Sequence, residues 1–208
     1  MIPHIPELFV QVIRAPAGDR AALQQAWDSW HETYSAGAEG WLGSDAGITD
    51  DGTFVAAVQF VSREAADRNA QRPEQDGWWR DFAQHLHGEP TFYNCEQVAV
   101  YGEDRPEDVG FVHIVQGRST ELDRVVTQAP EVEHHHISEH RLPVLGGVVA
   151  AHGDGGFTEV IYFPSEEAAR EGETGEIARH GITLVERMAT HMEDVRHFEL
   201  RDPWLQRH

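Results

Sequence analysis

Apolar positions along the chain follow two alternating spacings, every second residue and every third or fourth. Phe9–Arg14 and Phe111–Gln116 are apolar and β-branched with one polar residue in the middle, the signature of a buried strand. A helical stretch follows each. In Arg20–Ala36, Leu23, Trp27, Trp30 and Tyr34 recur at helical spacing behind Asp19, a capping residue. Its counterpart, roughly Ser119–His140, carries a helix-breaking Pro130. Two strand patterns then flank a tight turn: Trp41–Thr49 and Thr53–Val61 around Asp50-Asp51-Gly52, and Leu145–His152 and Phe157–Phe163 around Gly153-Asp154-Gly155-Gly156. Asp-Gly between two strand patterns is a strong hairpin signal. Ser62 and Ser165 stand as N-caps of a second helix, and Thr91–Tyr101 and Val195–Arg201 read as closing strands.

The two halves are copies. Leu42–Asp67 aligns without a gap on Leu145–Arg170, with about ten of the 26 positions identical, among them Asp51/Asp154, Gly52/Gly155, Phe54/Phe157 and Phe60/Phe163. The order β-α-β-β-α-β in each half is the ferredoxin-like unit. The expected class is therefore α+β: two tandem ferredoxin-like βαββαβ units, residues 1–102 and 110–208, joined by a polar linker at 103–109. A lone unit leaves one sheet face bare. The expected solution is sheet-to-sheet packing into an eight-stranded intrachain dimeric α/β barrel.

Several stretches resemble a known group. Gly40-Trp41-Leu42-Gly43, the hairpin Asp51-Gly52 and Arg72–Asp76 running into Trp78-Trp79 carry the resemblance, as do His152–Glu159 and Tyr162-Phe163. They are similar to actinobacterial tandem dimeric α/β-barrel proteins of the superfamily named for antibiotic biosynthesis monooxygenases. The resemblance spans nearly the whole chain and is specific for fold rather than activity. What it implies is a menu: metal-free and cofactor-free oxidation of polyphenolic polyketides, haem degradation, or isomerisation or cyclisation, with many members having no assigned activity.

Composition narrows the partners. Asp and Glu number 36 against 16 basic residues, every one of them Arg, for a formal charge of −20. That charge repels phosphate backbones and anionic lipid, so neither nucleic acid nor membrane is an expected partner. Without a lysine, no lysine Schiff base can form. The single cysteine, Cys95, excludes an internal disulfide and reads as a small apolar filler of a strand. The N-terminal stretch lacks a signal-peptide pattern and no apolar run is long enough to span a bilayer, so a soluble, cytoplasmic monomer or homodimer is expected.

Candidate chemistry sits on the strands. Gln11 and His113 occupy matching mid-strand positions and are expected to line the barrel cavity, with Val10/Val12 and Val112/Ile114 facing the helices. Glu159, among Phe157, Ile161 and Phe163, is the candidate general base, since apolar surroundings raise a carboxyl pKa. His113 is its candidate partner. His152, Tyr162 and Trp78 complete the candidate substrate-binding set; each has a purely structural alternative. Glu133, His134–His136 and His140 formally offer metal ligands, and with Glu139 spell an inverted zinc motif, but read more simply as a surface run. No nucleotide-binding loop is present. The expected activity is a cofactor-independent oxygenase, or an isomerase or cyclase, acting on a small aromatic or polyketide-like molecule. The alternative is a non-catalytic small-ligand or haem-binding barrel, with His113 or His152 as the axial ligand.

Overall fold

The computed structural model describes residues 8–103, 106–130, 143–172 and 188–208. The segment with Glu133, His134–His136 and His140 lies outside them. The chain divides into two compact units: residues 1–96 with 204–208, and residues 97–203.

Unit 1 holds a five-stranded antiparallel sheet in the order β10-β2-β3-β1-β4, where β1 is Phe9–Pro16, β2 Trp41–Ile48, β3 Thr53–Phe60, β4 Thr91–Cys95 and β10 Trp204–Arg207. Helices α1 (Arg20–Tyr34), α2 (Arg63–Ala70) and α3 (Pro73–Ala83) pack on one face. Asp19 caps α1 by accepting from the Ala22 N–H at 3.0 Å, and Ser62 caps α2 through the Ala65 N–H. Leu23, Trp27 and Trp30, the helical stripe of α1, are the residues that α1 buries. The β2–β3 hairpin turns at Gly52, whose φ of 82° is the left-handed conformation that an Asp-Gly turn requires.

Unit 2 repeats the plan with the strand order β5-β7-β8-β6-β9: β5 Gln97–Gly102, β6 Phe111–Arg118, β7 Gly146–Ala151, β8 Gly156–Phe163 and β9 Glu193–Leu200. Its described helices are α4 (residues 122–130) and α5 (Glu166–Gly172), with Ser165 accepting from the Ala168 N–H. The fold class is the expected one, a tandem pair of ferredoxin-like α+β units.

Two features differ from expectation. The first closing strand, Thr91–Tyr101, is two strands, β4 in sheet 1 and β5 in sheet 2; the second, Val195–Arg201, is β9 of sheet 2, and β10 follows it as an added strand of sheet 1. The described residues hold ten strands rather than eight, and Trp204–Arg207 completes the edge of the sheet of unit 1. The faces are also reversed. Phe9 and Ile13 pack with Leu23, Trp27, Trp30 and Phe82, so the Gln11 face of β1 looks at the helices, and Val10 and Val12 lie on the other face. In unit 2, Phe111 and Val115 pack with Leu122, Val125 and Ala129, which turns His113 toward the helices too. The reason is size. The gap between sheet and helices is filled by the aromatic residues, and Phe9, Phe54, Phe60, Phe111, Phe157 and Phe163 all fall on that face.

Cys95 is fully buried, and burial pushes its thiol up to about 12, as befits a core filler rather than a nucleophile. Among the described residues no helix is long and apolar enough to cross a membrane.

Candidate functional site: an aromatic-walled cavity in unit 1

A cavity of ≈ 250 Å³ opens between the sheet of unit 1 and its helices. Its floor is the helix-facing side of the sheet: Phe9, Gln11 and Ile13 of β1, Val58 and Phe60 of β3. Trp27 and Trp30 of α1 and Trp78 and Trp79 of α3 supply the aromatic wall. These rings hold one another in place. Trp78 lies 6.3 Å from Trp27 and 6.2 Å from Trp30, and both Trp78 and Trp79 stack on Phe82, at 5.1 and 5.5 Å. Adjacent tryptophans cannot share one face of a regular helix, and here both are half-buried and both reach the cavity.

Indole N–H groups and carboxamides fix the polar lining. Trp78 Nε1 donates to the Ala26 carbonyl at 2.9 Å, and Trp30 Nε1 donates to Gln75 Oε1 at 2.6 Å. Gln11 Nε2 donates to Asn94 Oδ1 at 2.9 Å. Gln206, on β10, donates through Nε2 to the Trp27 carbonyl at 2.8 Å. Two buried polar atoms on the lining residues lack a protein partner, Gln206 Oε1 and Trp27 Nε1, one an acceptor and one a donor.

The cavity holds no enclosed carboxylate among its described lining residues. Asp67 and Asp76 reach its rim, but their side chains are 53% and 69% exposed and pair with Arg63 and Arg80. Unit 1 carries Ala56 where the repeat places Glu159 in unit 2.

Of the six residues singled out in the sequence, Trp78 and Gln11 fall in this cavity and the other four lie in unit 2. Glu159 is fully buried on the helix-facing side of β8, and Tyr101 donates its hydroxyl to Glu159 Oε1 at 2.8 Å. Gly147 makes room for the Tyr101 ring, which a Cβ there would strike. His113 is on the same face; its strand neighbour Val115 is the register partner of Glu159. His113 Nε2 lies 3.1 Å from His197 Nδ1. His152 and Tyr162 are on the opposite face. There Thr158 Oγ1 accepts from Gln116 Nε2 at 2.9 Å and meets His152 Nε2 at 3.0 Å. The two histidines weighed as haem ligands thus each have Nε2 in a hydrogen-bonding contact, which an axial role would have to break.

Sequence reading missed Gln206, Trp27, Asn69 and Gln75 of the cavity and Tyr101 of the Glu159 pair. Trp27 carried only a core signal, since its helical spacing is that of any buried stripe. Gln206 carried none, because nothing local reveals that the final residues return to the first sheet.

The fold is a tandem pair of ferredoxin-like α+β units. Neither a protein-family model nor a curated protein matches the sequence. Solved structures do match in shape. A candidate monooxygenase from Fusobacterium nucleatum superposes with a TM-score of 0.73 at 9% identity, covering 98% of this chain and 96% of its own. A candidate monooxygenase from Lactobacillus acidophilus gives 0.71 at 11% identity, covering 97% and 96%. An anthrone oxidase-like protein gives 0.62 at 11% identity, covering 96% and 93%. At such identities the likeness is one of fold.

Proposed function

We propose that this chain is a cofactor-independent oxygenase of a small aromatic or polyketide-like molecule, bound in the cavity of unit 1. The carrying observation is the cavity itself: four tryptophans around a space that encloses neutral polar groups and no buried charge. Its volume, ≈ 250 Å³, falls just below the roughly 300–1,000 Å³ of most ligand pockets. A flat molecule of about two or three fused rings suits such walls. The fold shared with candidate monooxygenases and with an anthrone oxidase-like protein supports the reading.

The chemistry asked of the site is modest. A ring CH₂ beside a carbonyl or phenol loses a proton to solvent at the cavity mouth to give an electron-rich carbanion, which passes electrons to dioxygen. One oxygen atom becomes the new carbonyl and the other leaves as water, with both CH₂ hydrogens. The site contributes desolvation and orientation by its aromatic walls. Isomerisation or cyclisation would start from the same carbanion. Glu159 and His113, with Tyr101 beside the carboxylate, are proposed as proton-handling groups on the helix-facing side of the sheet of unit 2, separate from the unit 1 cavity, and His152 and Tyr162 as ligand contacts on its opposite face.

The neutral lining favours one second reading, a binder that holds the same molecule without turnover. Oxygen uptake with anthrone, measured in the presence of chelator, separates the two. The oxygenase reading expects uptake with one ¹⁸O atom from ¹⁸O₂ in the product, abolished in Ala66→Phe, which fills the cavity. Uptake lost in Glu159→Gln but kept in Ala66→Phe would move the chemistry to unit 2. Binding without uptake would establish the binder.

A further inference from the structure

We propose that strand β10 is a strap of the unit 1 cavity that docks and undocks on its own, and that an occupied cavity holds it docked. The inference rests on the reading of that cavity as an aromatic site and names how entry to it is controlled.

The strand is short and sits at an edge. β10 has four residues, pairs with β2 alone among the described strands, and is separated from the rest of unit 1 by residues 97–203. Its docked contacts are specific. Trp204 is buried in the aromatic core, with its ring 6.2 Å from Phe54. Gln206 donates through Nε2 to the Trp27 carbonyl at 2.8 Å and is one of the residues that line the cavity. Arg207 Nη1 donates to the carboxylate of the fully buried Asp45 at 2.6 Å.

The same docking strands polar atoms. Among the described residues, five buried side-chain nitrogen or oxygen atoms lack a hydrogen-bond partner, and four of them belong to β10: Trp204 Nε1, Gln206 Oε1, and Nε and Nη2 of Arg207. Each has given up water without a replacement, which works against the docked state. Packing of Trp204 and the Asp45 ion pair favour docking; four desolvated, unmatched groups oppose it. No other described strand carries such an atom, so the penalty is concentrated on the one strand least able to absorb it. The connection before it is held: Arg201 pairs with Glu166 at 3.0 Å and Glu199 at 2.9 Å, which confines release to the residues after Arg201. Release takes Gln206 out of the cavity lining and Trp204 out of the core that also holds Trp27, a cavity wall. A molecule seated in the cavity therefore has more to bind when β10 is docked, and that differential affinity is what shifts the equilibrium.

The test is amide hydrogen exchange on the full chain, with and without anthrone. Nitrogen replaces air so that anthrone is bound and not consumed, and tryptophan fluorescence follows the binding itself. Without anthrone, the β10 amides should exchange at least about tenfold faster than those of the central strand β3. Anthrone at about a hundredfold its dissociation constant should slow β10 about tenfold if the undocked state binds it about tenfold more weakly, while β6 and β8 of unit 2 keep their rates. Arg207→Gln, which takes the guanidinium from Asp45, should speed β10 exchange at least about tenfold and leave β3 unchanged. The wild-type comparison stands whether or not that variant folds. If β10 exchanges no faster than β3 in the unliganded wild type, or if bound anthrone leaves its rate unchanged, this proposal alone is overturned. Anthrone that does not bind overturns it together with the aromatic-site reading.

Discussion

At the scale of single residues, the clearest case is a carboxylate buried in an apolar core. Glu159 is tolerable only because it is hydrogen-bonded, and the Tyr101 hydroxyl is one of its partners. Removing that hydroxyl in Tyr101→Phe should lower stability by about 1–3 kcal/mol, read from the urea midpoint. In the double variant with Glu159→Gln the loss should be smaller than the sum of the two single losses, because the residues are coupled. Strict additivity would show that the pair does not act as a unit. Glu159 was legible in the sequence, as a charged residue on a strand face otherwise filled by Phe157, Ile161 and Phe163. Its partner was not, since Tyr101 is 58 positions away and no local pattern encodes a contact at that range. The same limit hid Gln206, whose bond to Trp27 spans 179 positions.

At the scale of elements, local chemistry was readable and the assignment of faces was not. Both hairpins, the caps at Asp19, Ser62 and Ser165 and the buried stripe of α1 stand where residue pattern placed them. Alternation along β1 correctly grouped Phe9, Gln11 and Ile13. It left open which group meets the helices, because Val10 and Val12 on the other face are equally buried. The hairpin of unit 1 supports a pH prediction. Thr49 donates to the Asp51 carboxylate, the first of the contacts that hold its pKa below the usual carboxylate value; Thr53 adds to it. A carboxyl whose folded pKa is depressed contributes stability above the unfolded value, and the contribution fades as pH falls through the folded value. Thr49→Val removes the donor. The variant should therefore be less stable than wild type near neutrality, with the gap closing as pH drops below about 4, the unperturbed carboxylate range. Thermal midpoints against pH check this; a gap that is constant down to the acid limit would mean the threonine acts through packing alone.

For the molecule as a whole, duplication produced two units with one plan and different contents. All six tryptophans, at 27, 30, 41, 78, 79 and 204, belong to unit 1, whose buried carboxylate Asp45 is paired with Arg207, while the Tyr101–Glu159 and His113–His197 pairs belong to unit 2. Indole fluorescence is consequently a reporter of unit 1 alone, and four of the six rings line its cavity. The central claim is that this cavity holds an aromatic molecule, and the most direct measurement is a fluorescence titration with anthrone of the wild type and Ala66→Phe. The account predicts saturable, single-site quenching in the wild type. In the filled variant, with its thermal midpoint within a few degrees of wild type, binding should weaken at least about tenfold. Quenching that never saturates, or that is the same in both proteins, would contradict it.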